Sequence, residues 1–260
     1  MAGQAHGEGV ASAGGSSSAP LSGRVGIVTG AAGGLGSAIV RALRDAGALV
    51  VPVDLHGDDS LIADVGTADG NRRMVDVALD RHGRLDMLIL NAGAQAMNPI
   101  VSYSEADWDR LMDLMVKGPF LAMKFAWPHL TSQPGGRIIV TSSTAGLVGA
   151  PYKAAYVAAK HAVLGLVKVA ALEGAAAGLT VNAVAPGWMF TSLAENQIRD
   201  HMRLRGISRD EVIASMVAEQ PAGRFVEVTE VASLITFLAG QGASAINGTC
   251  IPIDTGILAI

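Results

Sequence analysis

The stretch Val25-Gly-Ile-Val-Thr-Gly30-Ala-Ala-Gly-Gly-Leu-Gly36 begins as a short apolar run and continues at once into a glycine-rich segment. The apolar run predicts a strand, and the residues after the glycines predict a helix. Gly30, Gly34 and Gly36 lack side chains, so the backbone there can turn tightly, approach a pyrophosphate and pack closely on the helix. Because a helix N-terminus favours negative charge, the arrangement predicts a dinucleotide site.

From residue 24 onward, short runs rich in Val, Ile and Leu alternate with longer amphipathic segments. The alternation is typical of a parallel sheet whose strands are joined by crossover helices. The predicted fold class is therefore α/β, a single-domain Rossmann-like doubly wound parallel sheet of about seven strands, with ligands at the carboxyl ends of the strands. The pattern predicts strands at 25–29, 49–53, 61–63, 87–90, 137–141, 180–183 and 249–253, and helices near 34–46, 68–82, 105–131, 151–177 and 229–239.

Residues 1–22 are mostly Gly, Ala and Ser, and they contain neither a basic residue nor a continuous apolar core. We expect a disordered tail over 1–22, without secretory or transit features, and one globular domain over 23–260. After Pro186, an inserted segment at about 188–221 contains two amphipathic patterns, which predict two short helices and a lid over the site. The alternative for this segment is packing between subunits.

The composition of the chain limits the kinds of partner that it can bind. The chain has 260 residues, of which 50% are apolar and 16% charged, and its formal net charge is −4 without a Lys/Arg cluster. We therefore expect a small-molecule substrate rather than nucleic acid or an anionic membrane, and no segment offers about eighteen uninterrupted apolar residues for a bilayer. Cys250 is the only cysteine, which excludes an internal disulfide and favours a cytoplasmic protein. The six histidines lack metal-ligand spacing, so we assign no metal.

Tyr156 and Lys160 lie four residues apart on one predicted helix, so they share a helix face. A cation beside a phenol lowers its pKa, which makes Tyr156 a candidate general acid/base. Ser143 follows the fifth predicted strand, where its hydroxyl would face the same pocket. The alternative for a Tyr-x-x-x-Lys pattern is an ordinary solvated helix face.

Asp54 ends the second predicted strand. Its carboxylate would accept hydrogen bonds from the adenosine ribose and repel a 2′-phosphate, which favours NAD over NADP. The alternative for Asp54 is an ordinary surface acid in a loop. Asp64 and Val65 follow the third strand, where they would close over the adenine, and Asn91-Ala-Gly93 follows the fourth.

In their order and intervals, these residues resemble the short-chain dehydrogenase/reductase family over about 23–257. The resemblance implies catalysis by Ser143, Tyr156 and Lys160, and a Pro-Gly motif whose following Thr191 binds the nicotinamide carboxamide. The cofactor-binding set that it implies is Gly30, Gly34, Leu35, Gly36, Asp54, Asp64, Val65, Asn91, Gly93, Tyr156, Lys160, Pro186, Gly187 and Thr191.

Within that family, the chain looks most like the D-3-hydroxybutyrate dehydrogenases, on the stretches 91–95, 156–161 and 186–198. The resemblance implies an NAD-dependent oxidoreductase that interconverts a secondary alcohol and a ketone, with a small 3-hydroxy acid as substrate. It also implies a homotetramer built on helices 105–131 and 151–177, and the apolar C-terminus at 256–260 would suit a second interface. The substrate-binding residues that it implies are Gln95, Ser143, Lys153 and Gln197. The segment after Pro186 would add an apolar lining to the substrate site, from Trp188, Met189, Phe190 and Leu193.

Two positions depart from the family pattern. Met115 stands where the family usually has an asparagine that holds a water of a proton relay, and a thioether cannot hold that water in the same way. Ala145 stands where the hydroxybutyrate enzymes have a histidine that binds the substrate carboxylate. Two alternatives therefore stay open: a biosynthetic ketoreductase acting on a larger or less charged ketone, and an NAD-binding scaffold with little catalysis.

Overall fold

The computed structural model describes residues 19–259. Seven parallel strands form one sheet in the order β3-β2-β1-β4-β5-β6-β7, which confirms the predicted fold class. The chain runs outward from β1 in one direction and then returns to the other side of β1 as β4. Ligands bind at such a reversal point in doubly wound sheets. The strands are β1 Val25–Thr29, β2 Leu49–Asp54, β3 Leu61–Ile62, β4 Met87–Leu90, β5 Arg137–Thr141, β6 Thr180–Pro186 and β7 Cys250–Ile253.

Helices cover both faces of the sheet. A fully apolar set of strand residues packs against α2, α4 and α5 on one face and against α1 and α8 on the other. Strands that are buried on both faces are expected to be continuous apolar runs, as β4 is and as the centre of β5, 138–140, is. The helices are α1 Gly34–Asp45, α2 Ala68–His82, α3 Glu105–Met112, α4 Gly118–Leu130, α5 Ala154–Gly174, α6 Ser192–Arg205, α7 Arg209–Ala218 and α8 Val228–Ala239, with short 3-10 turns at Ile100–Ser102, Thr144–Gly146, Ala175–Ala177, Gln241–Ala243 and Ile257–Ala259.

The helix predicted over 105–131 is interrupted. A π-helical turn, Asp113–Lys117, separates α3 from α4, and the Gly118 N–H donates to the Asp113 carbonyl five residues back. Pro119 cannot donate to an α-helical ladder, and its ring clashes with the carbonyl four residues earlier, which accounts for the wider turn. A Cβ on Gly118 would lie 2.4 Å from the Val65 carbonyl oxygen, so glycine is required for the contact with the loop after β3.

Other predicted boundaries shift by a few residues. The helix expected from 151 begins at Ala154, because Pro151 precedes it and Tyr152 has a φ of 68° that a helix cannot contain. The strand expected to end at 183 continues to Pro186, which carries the chain to the edge of the site. Both short helices predicted after Pro186 are confirmed as α6 and α7.

The sequence predicted that the domain begins at residue 23, but in the structure it begins earlier. Leu21 is fully buried among α1 and α8 side chains, and its N–H donates to the Ala46 carbonyl. The predicted tail therefore extends too far toward its C-terminal end, because the prediction did not take account of Leu21, one apolar side chain in a polar segment. The rest of that prediction, residues 1–18, lies outside the described residues.

One helix within the described part of the chain, Ala154–Ala177, is long and apolar enough to cross a bilayer by length and composition. In the fold it packs against α3, β6 and the turn after β5, and it carries Tyr156 and Lys160. Its apolar character is that of a core helix.

Candidate functional site

Tight backbone contacts form the floor of the site at the glycine-rich turn. Gly30 has a φ of +66°, and a Cβ there would lie 2.8 Å from the Ala92 Cα. A Cβ on Gly36 would lie 1.9 Å from the Gly30 carbonyl oxygen. No other residue fits at either position, so the chain turns tightly here and presents the N-terminus of α1 to the site, which suits a phosphate.

Asp54 lies across this turn at the end of β2. Its Oδ2 accepts a hydrogen bond of 2.9 Å from the Ala32 N–H, and its Oδ1 accepts one of 2.7 Å from the Leu55 N–H. These bonds fix the carboxylate at the glycine-rich turn. Asp64 is held similarly, since its Oδ1 accepts from the Gly66 N–H at 2.9 Å.

Asn91 ties three strands together at the end of β4. Its Nδ2 donates to the carbonyls of Thr29 and Gly30 at 3.2 and 3.3 Å, and its Oδ1 accepts from the Thr141 hydroxyl at 3.2 Å. The ends of β1, β4 and β5 are thereby held in register beside the glycine-rich turn.

Lys160 is buried on α5, and its Nζ donates to the Thr141 carbonyl at 2.7 Å. Its Nζ lies 5.6 Å from the centroid of the Tyr156 ring. Burial lowers the pKa of Lys160 from its usual 10.5 to about 8. A second hydrogen bond joins α5 to the end of β5, because the Ser142 hydroxyl donates to the Lys160 carbonyl at 3.1 Å. This bond holds Tyr156 on α5 beside Ser143, the residue that follows Ser142.

The sequence predicted that Lys160 lowers the pKa of Tyr156, and the structure contradicts the direction. Burial raises the pKa of the phenol above its usual 10, and an interaction with the Ser143 hydroxyl offsets only part of the rise. The physical reason is that burial penalises the phenolate more than its neighbours stabilise it. The lysine ammonium donates to a backbone carbonyl and does not donate to the phenol.

Met115 lies within the π-helical turn and is 2% exposed. A Cβ built on Gly93 would lie 3.6 Å from Met115 Sδ and 3.8 Å from Lys160 Nζ. The thioether therefore borders the same backbone as Lys160, at the place where the sequence indicated a departure from the family.

Lys153 and Gln197 meet at the opposite end of the site. Lys153 Nζ donates to Gln197 Oε1 at 2.8 Å and lies 4.3 Å from the centroid of the Trp188 ring. Burial lowers the pKa of Lys153 to about 8, although nearby Glu219 raises it in part. Trp188 is itself fixed by a 2.7 Å hydrogen bond from Nε1 to Glu219 Oε2. A buried cation and an amide thus face the site from α5 and α6.

Two further side chains of this region carry buried polar atoms without a hydrogen-bond partner. They are Gln95, through both amide atoms, and His201, through Nδ1. The sequence analysis predicted Gln95 but missed both His201 and Glu219. The spacing of Gln197 and His201, four residues apart on α6, was the available signal.

All of the predicted site residues line a cavity of about 1550 Å³ at the carboxyl ends of the strands. Their individual roles stay predictions. Phe190, which was expected among the apolar lining, instead packs on Phe225 with ring centroids 5.6 Å apart. Thr191 lies across the glycine-rich turn, since a Cβ on Gly34 would be 3.3 Å from its Cγ2.

Comparison with known proteins agrees with this geometry. A family model described as enoyl-(acyl carrier protein) reductase matches residues 30–258. D-beta-hydroxybutyrate dehydrogenase of Rhizobium meliloti is 37% identical over 88% of this chain and 96% of its own. A 3-oxoacyl-(acyl-carrier-protein) reductase of Staphylococcus aureus is 34% identical over 89% of this chain and 96% of its own. The crystal structure of an NAD⁺-bound xylitol dehydrogenase superposes with a TM-score of 0.86 at 28% identity, covering 91% of this chain and 99% of that one.

Proposed function

The chain belongs to the short-chain dehydrogenase/reductase family, whose members are oxidoreductases acting on CH–OH groups, and on this premise we propose that it is an NAD-dependent dehydrogenase of small 3-hydroxy acids, with 3-hydroxybutyrate as the first candidate. The observation that carries the proposal is the pairing of a buried lysine with a glutamine in the cavity that also contains Tyr156. The similarity to a D-beta-hydroxybutyrate dehydrogenase supports the same substrate class.

The residues of the turn before α1 fit a dinucleotide. Gly30 and Gly36 allow the backbone to turn tightly before α1, where any side chain would clash with neighbouring backbone, and Asp54 is fixed across this turn. The Asp54 carboxylate would accept from the ribose hydroxyls and repel a 2′-phosphate, so NAD is favoured over NADP. The remaining predicted contacts would hold the adenine beside Asp64 and Val65, and the nicotinamide beside Asn91, Pro186 and Thr191. When bound, the nicotinamide supplies the hydride chemistry.

Tyr156 would exchange the proton of the reacting oxygen. Because burial raises its pKa, the phenol is protonated at neutral pH, which suits donation to a ketone oxygen. Oxidation of an alcohol needs the phenolate and therefore becomes faster as the pH rises. The Ser143 hydroxyl, placed next to the phenol by the end of β5, would polarise the same oxygen.

Lys160 would position the reactants and stabilise the phenolate that forms during alcohol oxidation. Its ammonium is anchored on the Thr141 carbonyl and remains charged below its pKa of about 8. A positive charge this close to the ring would favour the phenolate once it forms.

The acid group of the substrate would be bound at the lid end. Lys153 supplies a cation, and Gln197 and Gln95 supply amide donors. Both amide atoms of Gln95 are buried without partners, and an unpartnered buried amide is costly unless a ligand satisfies it. A carboxylate accepts several hydrogen bonds at once and matches this set.

The second candidate function is a ketoreductase acting on a larger or less charged ketone. Ala145 favours it, because a methyl group replaces an imidazole directly beside Ser143, whose Oγ accepts from the Ala145 N–H at 3.2 Å. The similarity to a 3-oxoacyl-(acyl-carrier-protein) reductase points the same way.

One experiment separates the two. For oxidation, the purified full chain is incubated with NAD or NADP and with 3-hydroxybutyrate, its uncharged analogue 3-hydroxybutanamide, or simple secondary alcohols. For reduction, it is incubated with NADH or NADPH and a 3-oxoacyl thioester. Nicotinamide absorbance is followed in both directions. The proposal expects NAD to be preferred and the acid to be used with the higher kcat/KM. Equal use of the acid and the amide, or activity only in the reduction of 3-oxoacyl thioesters, would establish the ketoreductase.

We also propose that the enzyme is cytoplasmic and homotetrameric. The support for assembly is that α4 and α5, the helices expected at the interface, expose apolar side chains to solvent in the single chain. These side chains include Phe120 and Leu172.

A further inference from the structure

His201 lies on α6, one helical turn after Gln197, and it faces the same cavity. Its ring meets the edge of Trp188 with centroids 6.4 Å apart and planes inclined by 63°. Trp188 in turn lies 4.3 Å from Lys153 Nζ. The imidazole is therefore a neighbour of the lysine and glutamine that we propose as the acid-binding end of the site.

The Nδ1 atom of His201 is buried and has no hydrogen-bond partner. A buried polar nitrogen without a partner is unfavourable in the free protein, and it becomes favourable when a ligand supplies the missing acceptor. Among the residues that the structure describes, the other unpartnered side-chain atoms at this cavity are the amide atoms of Gln95, so both groups without partners line the same cavity. Two carboxylates lie near the ring, and both already accept hydrogen bonds: Glu219 from Trp188 and Asp200 from Arg203.

Resting on the proposed function, we infer that His201 binds the carboxylate of the substrate through its Nδ1–H and is a specificity-determining residue for 3-hydroxy acids. It would supply, from the lid, the imidazole that Ala145 lacks beside Ser143. Because the imidazole lies on α6, the acid-binding set would be complete only while this lid helix is packed as it is in the structure. The charged groups around the ring are Lys153, Asp200, Arg205 and Glu219.

The test removes the Nδ1 donor of His201 and keeps an aromatic ring at that position. His201→Phe preserves a flat ring against Trp188 and removes Nδ1, whereas His201→Asn retains a donor near the Nδ1 position. His201→Leu serves as a second donor-free variant in case the Phe ring does not fit. His82→Phe, at a half-buried histidine that does not line the cavity, is the matched control. KM and kcat are measured with 3-hydroxybutyrate and with 3-hydroxybutanamide.

We expect His201→Phe and His201→Leu to raise KM for the acid by about tenfold, the usual consequence of losing one donor to a charged group. Their KM for the amide and their kcat should stay within about twofold, and His201→Asn should retain most of the preference for the acid. An unchanged acid KM, or equal rises for acid and amide, overturns the inference and leaves the proposed function standing. A wild-type enzyme that does not prefer the acid overturns both.

Discussion

Two buried lysines with the same lowered pKa have different surroundings in this site. Burial lowers the pKa of both Lys153 and Lys160 to about 8. Lys160 donates to a backbone carbonyl that cannot move, whereas Lys153 donates to the side chain of Gln197 on the lid. The first lysine is therefore fixed by the sheet, and the second can transfer its hydrogen bonds to a ligand.

The charge of Lys153 predicts a pH dependence of acid binding. The ammonium form is present below the pKa of about 8 and is lost above it, so KM for 3-hydroxybutyrate should rise about tenfold between pH 7 and 9. KM for 3-hydroxybutanamide should not show this rise, since an amide gains little from the charge. Steady-state kinetics with both substrates measure the difference, and Lys153→Met should abolish it. Parallel KM curves for acid and amide would contradict the assignment.

Met115, at the position where the family usually has an asparagine, predicts that proton exchange through the relay is slow. Met115→Asn places an amide beside Lys160, where it can hold a water, and kcat should rise on the order of tenfold with a shifted pH profile. Burying the amide should also lower the melting temperature, at a cost of ~1–3 kcal/mol. Met112→Asn, on α3 outside the cavity lining, is the control. If kcat and its pH profile are unchanged, the residue has no part in proton exchange.

At the scale of residues, the sequence predicted which side chains form the site better than it predicted the directions of their pKa shifts. The pairing of Tyr156 and Lys160 could be read from helical spacing, but the direction of the tyrosine pKa depends on burial, which spacing does not show. His201 was missed because its neighbour Trp188 is thirteen residues away in sequence and is brought close only by the folding of the lid.

At the scale of elements, the helix after β4 shows where pattern reasoning is least reliable. The apolar period continues through 105–131, but Gly118-Pro119 forces a π-helical turn that places Met115 against the site. A proline in a helical pattern gives the position of a break and leaves its geometry open. That geometry depends on the contact of Gly118 with the Val65 carbonyl. The contact joins two segments that are far apart in the sequence.

The lid has its own small apolar cluster. Ile198, Val212 and Met216 are buried together, separate from the two clusters that flank the sheet. We therefore expect α6 and α7 to open as a unit at lower free energy than the sheet.

Ile198→Ala tests this expectation, because Ile198 is 1% exposed and its truncation leaves a cavity. Hydrogen exchange across 192–218 should accelerate by an amount equivalent to ~2–5 kcal/mol, while exchange in β1, β4 and β5 stays unchanged. Met202→Ala, at a residue 36% exposed on the same helix, should have little effect. Equal acceleration in the sheet would show that the lid does not open separately.

At the scale of the whole molecule, strand order converts distant motifs into one site. Five parts of the site lie at the carboxyl ends of five different strands, and a parallel sheet brings those ends to one edge: the glycine-rich turn, Asp54, Asn91, Ser143 and Pro186. Sequence reasoning could predict this because the alternation of strands and helices leaves few possible topologies. It could not predict the assembly, which depends on surfaces that a single chain leaves exposed.

The exposed apolar side chains of α4 and α5 predict a tetramer interface. Leu172 on α5 is 81% exposed, so Leu172→Asp should be tolerated within one chain and should disfavour association by burying a charge between subunits. Analytical ultracentrifugation should then show a species smaller than the wild-type tetramer. Ile100→Asp, also at a residue 81% exposed but outside these helices, should leave the mass unchanged. A wild-type monomer, or a Leu172→Asp tetramer, would contradict the proposed interface.

The most direct test of the account is the turnover of Tyr156→Phe with the best substrate of the wild-type enzyme, measured alongside NAD binding by calorimetry. Without the hydroxyl, proton exchange with the reacting oxygen is lost, so kcat should fall by about 10²–10⁴-fold while NAD still binds. Turnover within a few-fold of wild type, with NAD bound, would show that Tyr156 is not the acid/base of this enzyme.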